Sequence, residues 1–177
     1  KKSRVQLRYK YYEMKNSFVD MGISTPPNLK NWKSVLGWCG KAVDSLSDRL
    51  IFREFMDDNF DLNEIFQMNN PDTLFDSAVL SALVSSCCFI YISADEDGFP
   101  RLQVIDGGSA TGIIDPITGL LTEGYAVLEV DKDKKPKLEA YFVPGRTVYY
   151  RAGEKEAESI PNSAPYPLLV PIIYRPD

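Results

Sequence analysis

The sequence predicts an α+β protein in which N-terminal helices are followed by an antiparallel, meandering β-sheet. Up to about residue 86 the apolar residues recur at helical three-and-four spacing. From Cys87 onward short β-branched and aromatic runs alternate with turn residues. Nowhere does a strand alternate with a helix and another strand, so no βαβ unit is expected. At 177 residues the chain reads as one region, 1–177, with a mainly helical part at 1–86 and a mainly β part at 87–177.

Arg4 to about Phe18 is expected to be a helix rich in tyrosine (Tyr9, Tyr11, Tyr12), ended by Gly22 and the loop Ser24-Thr25-Pro26-Pro27. Leu29, Trp32, Val35, Leu36, Cys39, Ala42, Val43, Leu46 and Leu50 then draw one stripe down a second helix, with Asn28 as its N-cap. Gly37 and Gly40 lie inside it. Each costs about 1 kcal/mol relative to Ala, so another backbone is expected to pack closely there. Asp61-Leu62-Asn63-Glu64 resembles a capping box opening a short helix through Met68. Asn69-Asn70-Pro71 ends that helix, and Asp72 is expected to cap another with Phe75, Ala78, Val79, Ala82 and Leu83 on its apolar face.

The first strand is Cys87 to Ile92, ending at the turn Asp95-Glu96-Asp97-Gly98. Strands then follow at 101–105, 110–114, 124–130, 137–143 and 147–151, separated by turn chemistry; a polar loop and a last strand at 168–174 complete the sheet.

Composition narrows the function. The chain has no histidine, which excludes Ser-His-Asp and Cys-His catalysis and His-ligated zinc. Cys39, Cys87 and Cys88 form neither a CxxC motif nor a disulfide framework, so reduced, buried thiols in an intracellular protein are expected. The longest apolar run is strand-sized, so no membrane span is expected. The opening KKSRVQLRYKYY lacks a signal-peptide h-region and an initiating Met, and reads as the boundary of a fragment.

Charge is unevenly spread. Residues 1–41 hold nine Lys and Arg against Glu13 and Asp20, a net of +7; since the whole chain is −5, the remainder carries −12. A basic start can meet nucleic acid or an acidic partner, and Lys1, Lys2, Arg4 and Arg8 are the nucleic-acid candidates.

Other motifs have structural explanations. Gly107-Gly108-Ser109-Ala110-Thr111-Gly112 lacks the Gly-Lys-Ser/Thr end and the following helix of a phosphate loop. The acidic groups Asp57, Asp58, Asp61, Glu64 and Asp95, Glu96, Asp97 sit where carboxylates cap helices and turns. A calcium loop does not fit, because Gly98 comes too early and position twelve is Asp106. Trp32 and Trp38 fall near one side of an amphipathic helix, which suits core or subunit packing better than base stacking. Lys132, Lys134, Lys135 and Lys137 alternate with Asp131 and Asp133 in a hairpin tip. No catalytic, metal or cofactor site is expected, and no small-molecule substrate.

The order of local patterns resembles the N-terminal half of bacteriophage portal proteins of the SPP1 gp6-like family. Tyr11-Tyr12-Glu13 matches its opening element, and the segment from Trp38 to Leu50 its NW…VVD…ERL helix. Ile65-Phe66-Gln67-Met68-Asn69-Asn70-Pro71-Asp72 corresponds to its IWQANNLD-like segment, and the following helix runs through Ala82-Leu83-Val84 to a strand at Tyr91-Ile92. Asp97-Gly98-Phe99-Pro100-Arg101, Ile113 to Gly119 and Val170 to Pro176 also match in order. Ser85-Ser86-Cys87-Cys88 and Pro144-Gly145 depart from the family in turn detail.

The resemblance implies a structural, non-enzymatic component of the virion, from a phage or prophage and made in the host bacterial cytoplasm. It implies a self-assembled ring, usually a dodecamer, at one capsid vertex. That ring would be the DNA translocation channel for packaging and ejection of double-stranded DNA, and would dock terminase, head-completion and major capsid or scaffold proteins. This chain would supply the wing, with stem, clip and crown absent, and its exposed aromatics would serve as interface. The alternatives are a non-portal phage adaptor or protein-binding domain and a metal-dependent nuclease using the carboxylates from Asp57 to Glu64.

Overall fold

The computed structural model describes residues 2–15, 26–29, 37–56 and 59–174. Its helices are α1 (Lys2–Tyr12), α2 (Trp38–Ser47), α3 (Leu62–Met68) and α4 (Pro71–Ser85). Eight strands follow: β1 (Cys87–Ala94), β2 (Pro100–Asp106), β3 (Ala110–Ile114), β4 (Leu121–Val130), β5 (Pro136–Val143), β6 (Arg146–Arg151), β7 (Glu158–Pro161) and β8 (Leu169–Ile173). All pairings are antiparallel. The α+β order is as the sequence predicts.

The expected single meander is divided into two sheets. β3 to β7 form a five-stranded meander, whereas β8 returns to pair with β1 and makes the three-stranded order β2-β1-β8. Alternation along β1 explains why this small sheet is buried on both sides. Phe89 and Tyr91 face the larger sheet and meet Ile105, Ala126, Phe142 and Leu169 in the main core. Cys88 points the other way and packs on Ala78 and Ala82 of α4. The result is a helix layer, a three-stranded sheet and a five-stranded sheet.

The crossing between the sheets needs a residue without a side chain. A Cβ on Gly107 would lie 2.4 Å from the Cys87 carbonyl oxygen, closer than atoms can approach. Asp106 fixes the same turn by accepting the Gly108 N–H at 2.6 Å and the Ser109 hydroxyl at 2.9 Å.

Several local expectations change. Asn28 lies in a short 3-10 turn, Pro27–Leu29, and the described helix begins at Trp38 with Gly37 at its N-cap. Trp32, Phe18 and Gly22 fall outside the described residues. The stripe on α2 is not core, for none of its residues is buried, and Trp38 is 78% exposed. The close approach at Gly40 holds: a Cβ there would stand 3.1 Å from the Tyr12 carbonyl oxygen.

The capping box at Asp61 does not form. Asp61 adopts a left-handed backbone (φ 56°), which takes its carboxylate away from the first-turn N–H groups, and it makes no cap hydrogen bond. Asn70, not Asp72, is the N-cap of α4, because Pro71 suits the first helical position, where no N–H is needed. The buried residues of α4 are Leu74, Ala78, Ser81, Ala82, Val84 and Ser85. Phe75 instead joins Phe52, Phe55 and Phe66 in an aromatic cluster, stacked on Phe52 at 4.2 Å with Phe55 packed edge-on. β7 lies in the segment expected to be a polar loop, and every residue in it is exposed.

Candidate functional site

Helix α1 carries the basic residues singled out in the sequence, and the fold separates their roles. Lys1 lies outside the described residues. Val5, Arg8, Tyr9 and Tyr12 share the inward side, as helical spacing dictates. Arg8 donates from Nη1 to the Ser85 carbonyl at 3.0 Å and to the Ser86 hydroxyl, Tyr9 bonds the Ser81 hydroxyl at 3.2 Å, and Tyr12 donates to Asp44 at 2.8 Å. Arg8 is thus engaged with the end of α4. Lys2 and Arg4 are exposed. Lys2 lines a groove of about 510 Å³ with Lys10, Lys15 and Lys134, and with the carboxylates of Glu13 and Asp106. At 100° per residue, Arg4 projects from the other side of the helix.

A second concavity, of about 460 Å³, lies between α2 and α4. Leu50, Ile51 and Leu80 line it with Asp44, Asp48 and Asp76, and no cation is among its lining residues. Sequence reading did not single out this cleft. Asp44 and Asp48, one turn apart, were legible as a single acidic edge; Asp76 joins them only through tertiary packing.

The remaining candidates act locally. Asp95 accepts the N–H groups of Asp97 and Phe99 and pairs with Arg101 at 2.7 Å. Desolvation opposes the charge, but the Phe99 N–H and the Arg101 guanidinium prevail and hold this carboxyl below its ordinary pKa. Asp131 closes the lysine-bearing tip by accepting the N–H groups of Asp133 and Lys135. Asp57 and Asp58 lie outside the described residues. Among those described, no three His, Cys, Asp or Glu side chains converge as a metal site.

The cysteines divide. Cys39 is exposed, contrary to the expectation of buried thiols, whereas Cys88 is buried and donates to the Ala78 carbonyl at 3.2 Å. Burial above all, with Cys87 and Asp106 nearby, pushes the Cys88 pKa up to about 12. That side chain is a protonated packing group at neutral pH.

On the outer face of the five-stranded sheet, Tyr125 and Tyr141 stand directly opposite in register. Tyr125 donates diagonally to Glu139 and Tyr141 to Glu123. Burial first and the Glu139 bond second push Tyr125 up to about 12. The hairpin tip between β3 and β4 presents Ile117, 93% exposed, on a turn held by Asp115.

What these elements offer is surface: a basic groove, an acidic apolar cleft, a tyrosine-lined sheet face and projecting apolar side chains. The model of the family "Phage portal protein, SPP1 Gp6-like" matches residues 1–175, and the chain belongs to this phage portal family, a structural family of the virion. No curated protein matches the chain. Among the described residues, no helix is long and apolar enough to cross a membrane.

Proposed function

We propose that the chain is the wing region of a portal subunit, working within a ring at one capsid vertex. The single observation that carries this reading is the family match, which extends over residues 1–175 instead of resting on one motif. In the full-length protein the ring is the channel for double-stranded DNA during packaging and ejection, and it docks terminase, head-completion and capsid or scaffold proteins. The stem, clip and crown belong to sequence outside this chain. Surfaces rich in exposed apolar groups suit such a part, since a ring subunit is flanked on both sides.

DNA must slide through such a channel, so readout of base sequence is not expected. The net −12 after Lys41 is consistent with weak phosphate affinity over most of the chain. Polyanion contact falls to the groove flank of α1, where Lys2 is exposed beside Lys134. Neutralising Lys1 and Lys2 in the full-length protein is expected to weaken DNA retention most at low salt; unchanged retention removes that contact.

Gold labelling of the full-length product, co-expressed with the capsid and scaffold genes of its own phage, tests the placement. One labelled vertex per head is expected. Labels spread over all vertices, or none, contradict it.

A further inference from the structure

We infer that the acidic cleft between α2 and α4 receives helix α1 of a second copy of this chain. The inference rests on the ring reading above and names one contact within it.

Two surfaces of the same chain are complementary. On α1, Leu7 and Tyr11 stand one turn apart and are 52% and 47% exposed. Arg4 and Lys10 flank them, and neither makes an ion pair among the described residues. Helix α1 contains no carboxylate, and Glu13 just beyond it is neutralised by Lys15 at 2.7 Å. This is a cationic helix with an outward apolar stripe.

The cleft is its inverse. Leu50 and Ile51, 47% and 74% exposed, line it together with Leu80 and the carboxylates of Asp44, Asp48 and Asp76. Asp44 accepts the Tyr12 hydroxyl, which leaves its negative charge in place. Asp44 and Asp48 line the α2 side of the cleft and Asp76 the α4 side. At 100° per residue Arg4 and Lys10 fall on opposite flanks of the Leu7 and Tyr11 stripe, so the helix can lay that stripe on the apolar side chains with a cation toward each acidic side.

The complementarity selects the occupant. DNA satisfies the cations of α1 but cannot enter a cleft edged by three aspartates. A second copy satisfies both surfaces. The two patches are different parts of the chain, which is the condition for head-to-tail contact and hence for closing a ring.

Charge exchange in the full-length protein tests the contact. One variant carries Arg4→Glu and Lys10→Glu, a second Asp48→Lys and Asp76→Lys, and a third all four. Ring formation is followed against concentration by size-exclusion light scattering, with thermal melts to confirm folding. Each half-set is expected to raise the concentration for half-assembly about tenfold, and the fourfold variant to return to within about threefold of wild type.

Half-sets that assemble like wild type overturn the inference. So does a folded fourfold variant that stays unassembled, or a basic half-set that loses DNA retention while its rings persist. Absence of rings in the wild type is a separate result, which removes the ring reading itself.

Discussion

Arg8 and Ser85 are 77 residues apart, yet the Arg8 guanidinium donates to the Ser85 carbonyl at 3.0 Å. Ser85 is the last residue of α4, and Ser86 follows in a left-handed conformation (φ 74°) that turns the chain into β1. The arginine therefore anchors the first helix at the junction of the helix and sheet layers. Arg8→Ala is expected to destabilise the fold by about 1.5–3 kcal/mol, the range for hydrogen bonds from a charged donor. Urea unfolding measures this. A change within error would mean that α1 docks without the bond.

Thr147 carries the opposite lesson. It is 2% exposed, and its hydroxyl is buried without a hydrogen-bond partner. Thr147→Val keeps the shape and removes the cost of hiding that hydroxyl from water, so a stability gain of about 1 kcal/mol is expected. A loss of that size in the same unfolding measurement contradicts this account of the inner face of β6.

Thiol chemistry should separate the cysteines. In native protein an aromatic disulfide reagent is expected to label the exposed Cys39 quickly and to leave Cys88 untouched until denaturant is added. Fast native labelling of Cys88, seen by peptide mapping, would place it at the surface.

Alkaline pH probes the outer sheet face. The ordinary tyrosine pKa of 10.0 is raised to about 12 for Tyr125, so the folded state holds this proton more tightly than the unfolded chain. The stabilisation is complete below pH 10 and is lost as pH rises toward 12. The urea midpoint is expected to fall across that window, and Tyr125→Phe to shallow the fall; an identical slope in the variant contradicts the assignment.

Local chemistry is written plainly in the sequence, and long-range placement is not. The turns at Gly98, Gly119 and Gly145 were legible because their residues tolerate positive φ. The return of β8 to β1 was hidden, since nothing in Leu169–Ile173 encodes a partner strand as far back as Cys87 to Tyr91. β7 escaped because Glu158–Pro161 is a short, exposed edge ending in proline, with no buried face to impose alternation. The spacing around Val43 and Leu46 is that of a helical stripe, yet its described part packs into no core, leaving Leu46 41% exposed. The basic start was visible; Arg8's inward turn and the joining of Asp76 to Asp44 and Asp48 needed the fold.

The most direct test of the portal reading is negative-stain electron microscopy of the full-length gene product, with rotational symmetry counted in end-on views. Rings with a central channel are expected. Uniform small particles with no ring at any salt or protein concentration would contradict the account and leave an adaptor that shares the fold without the assembly.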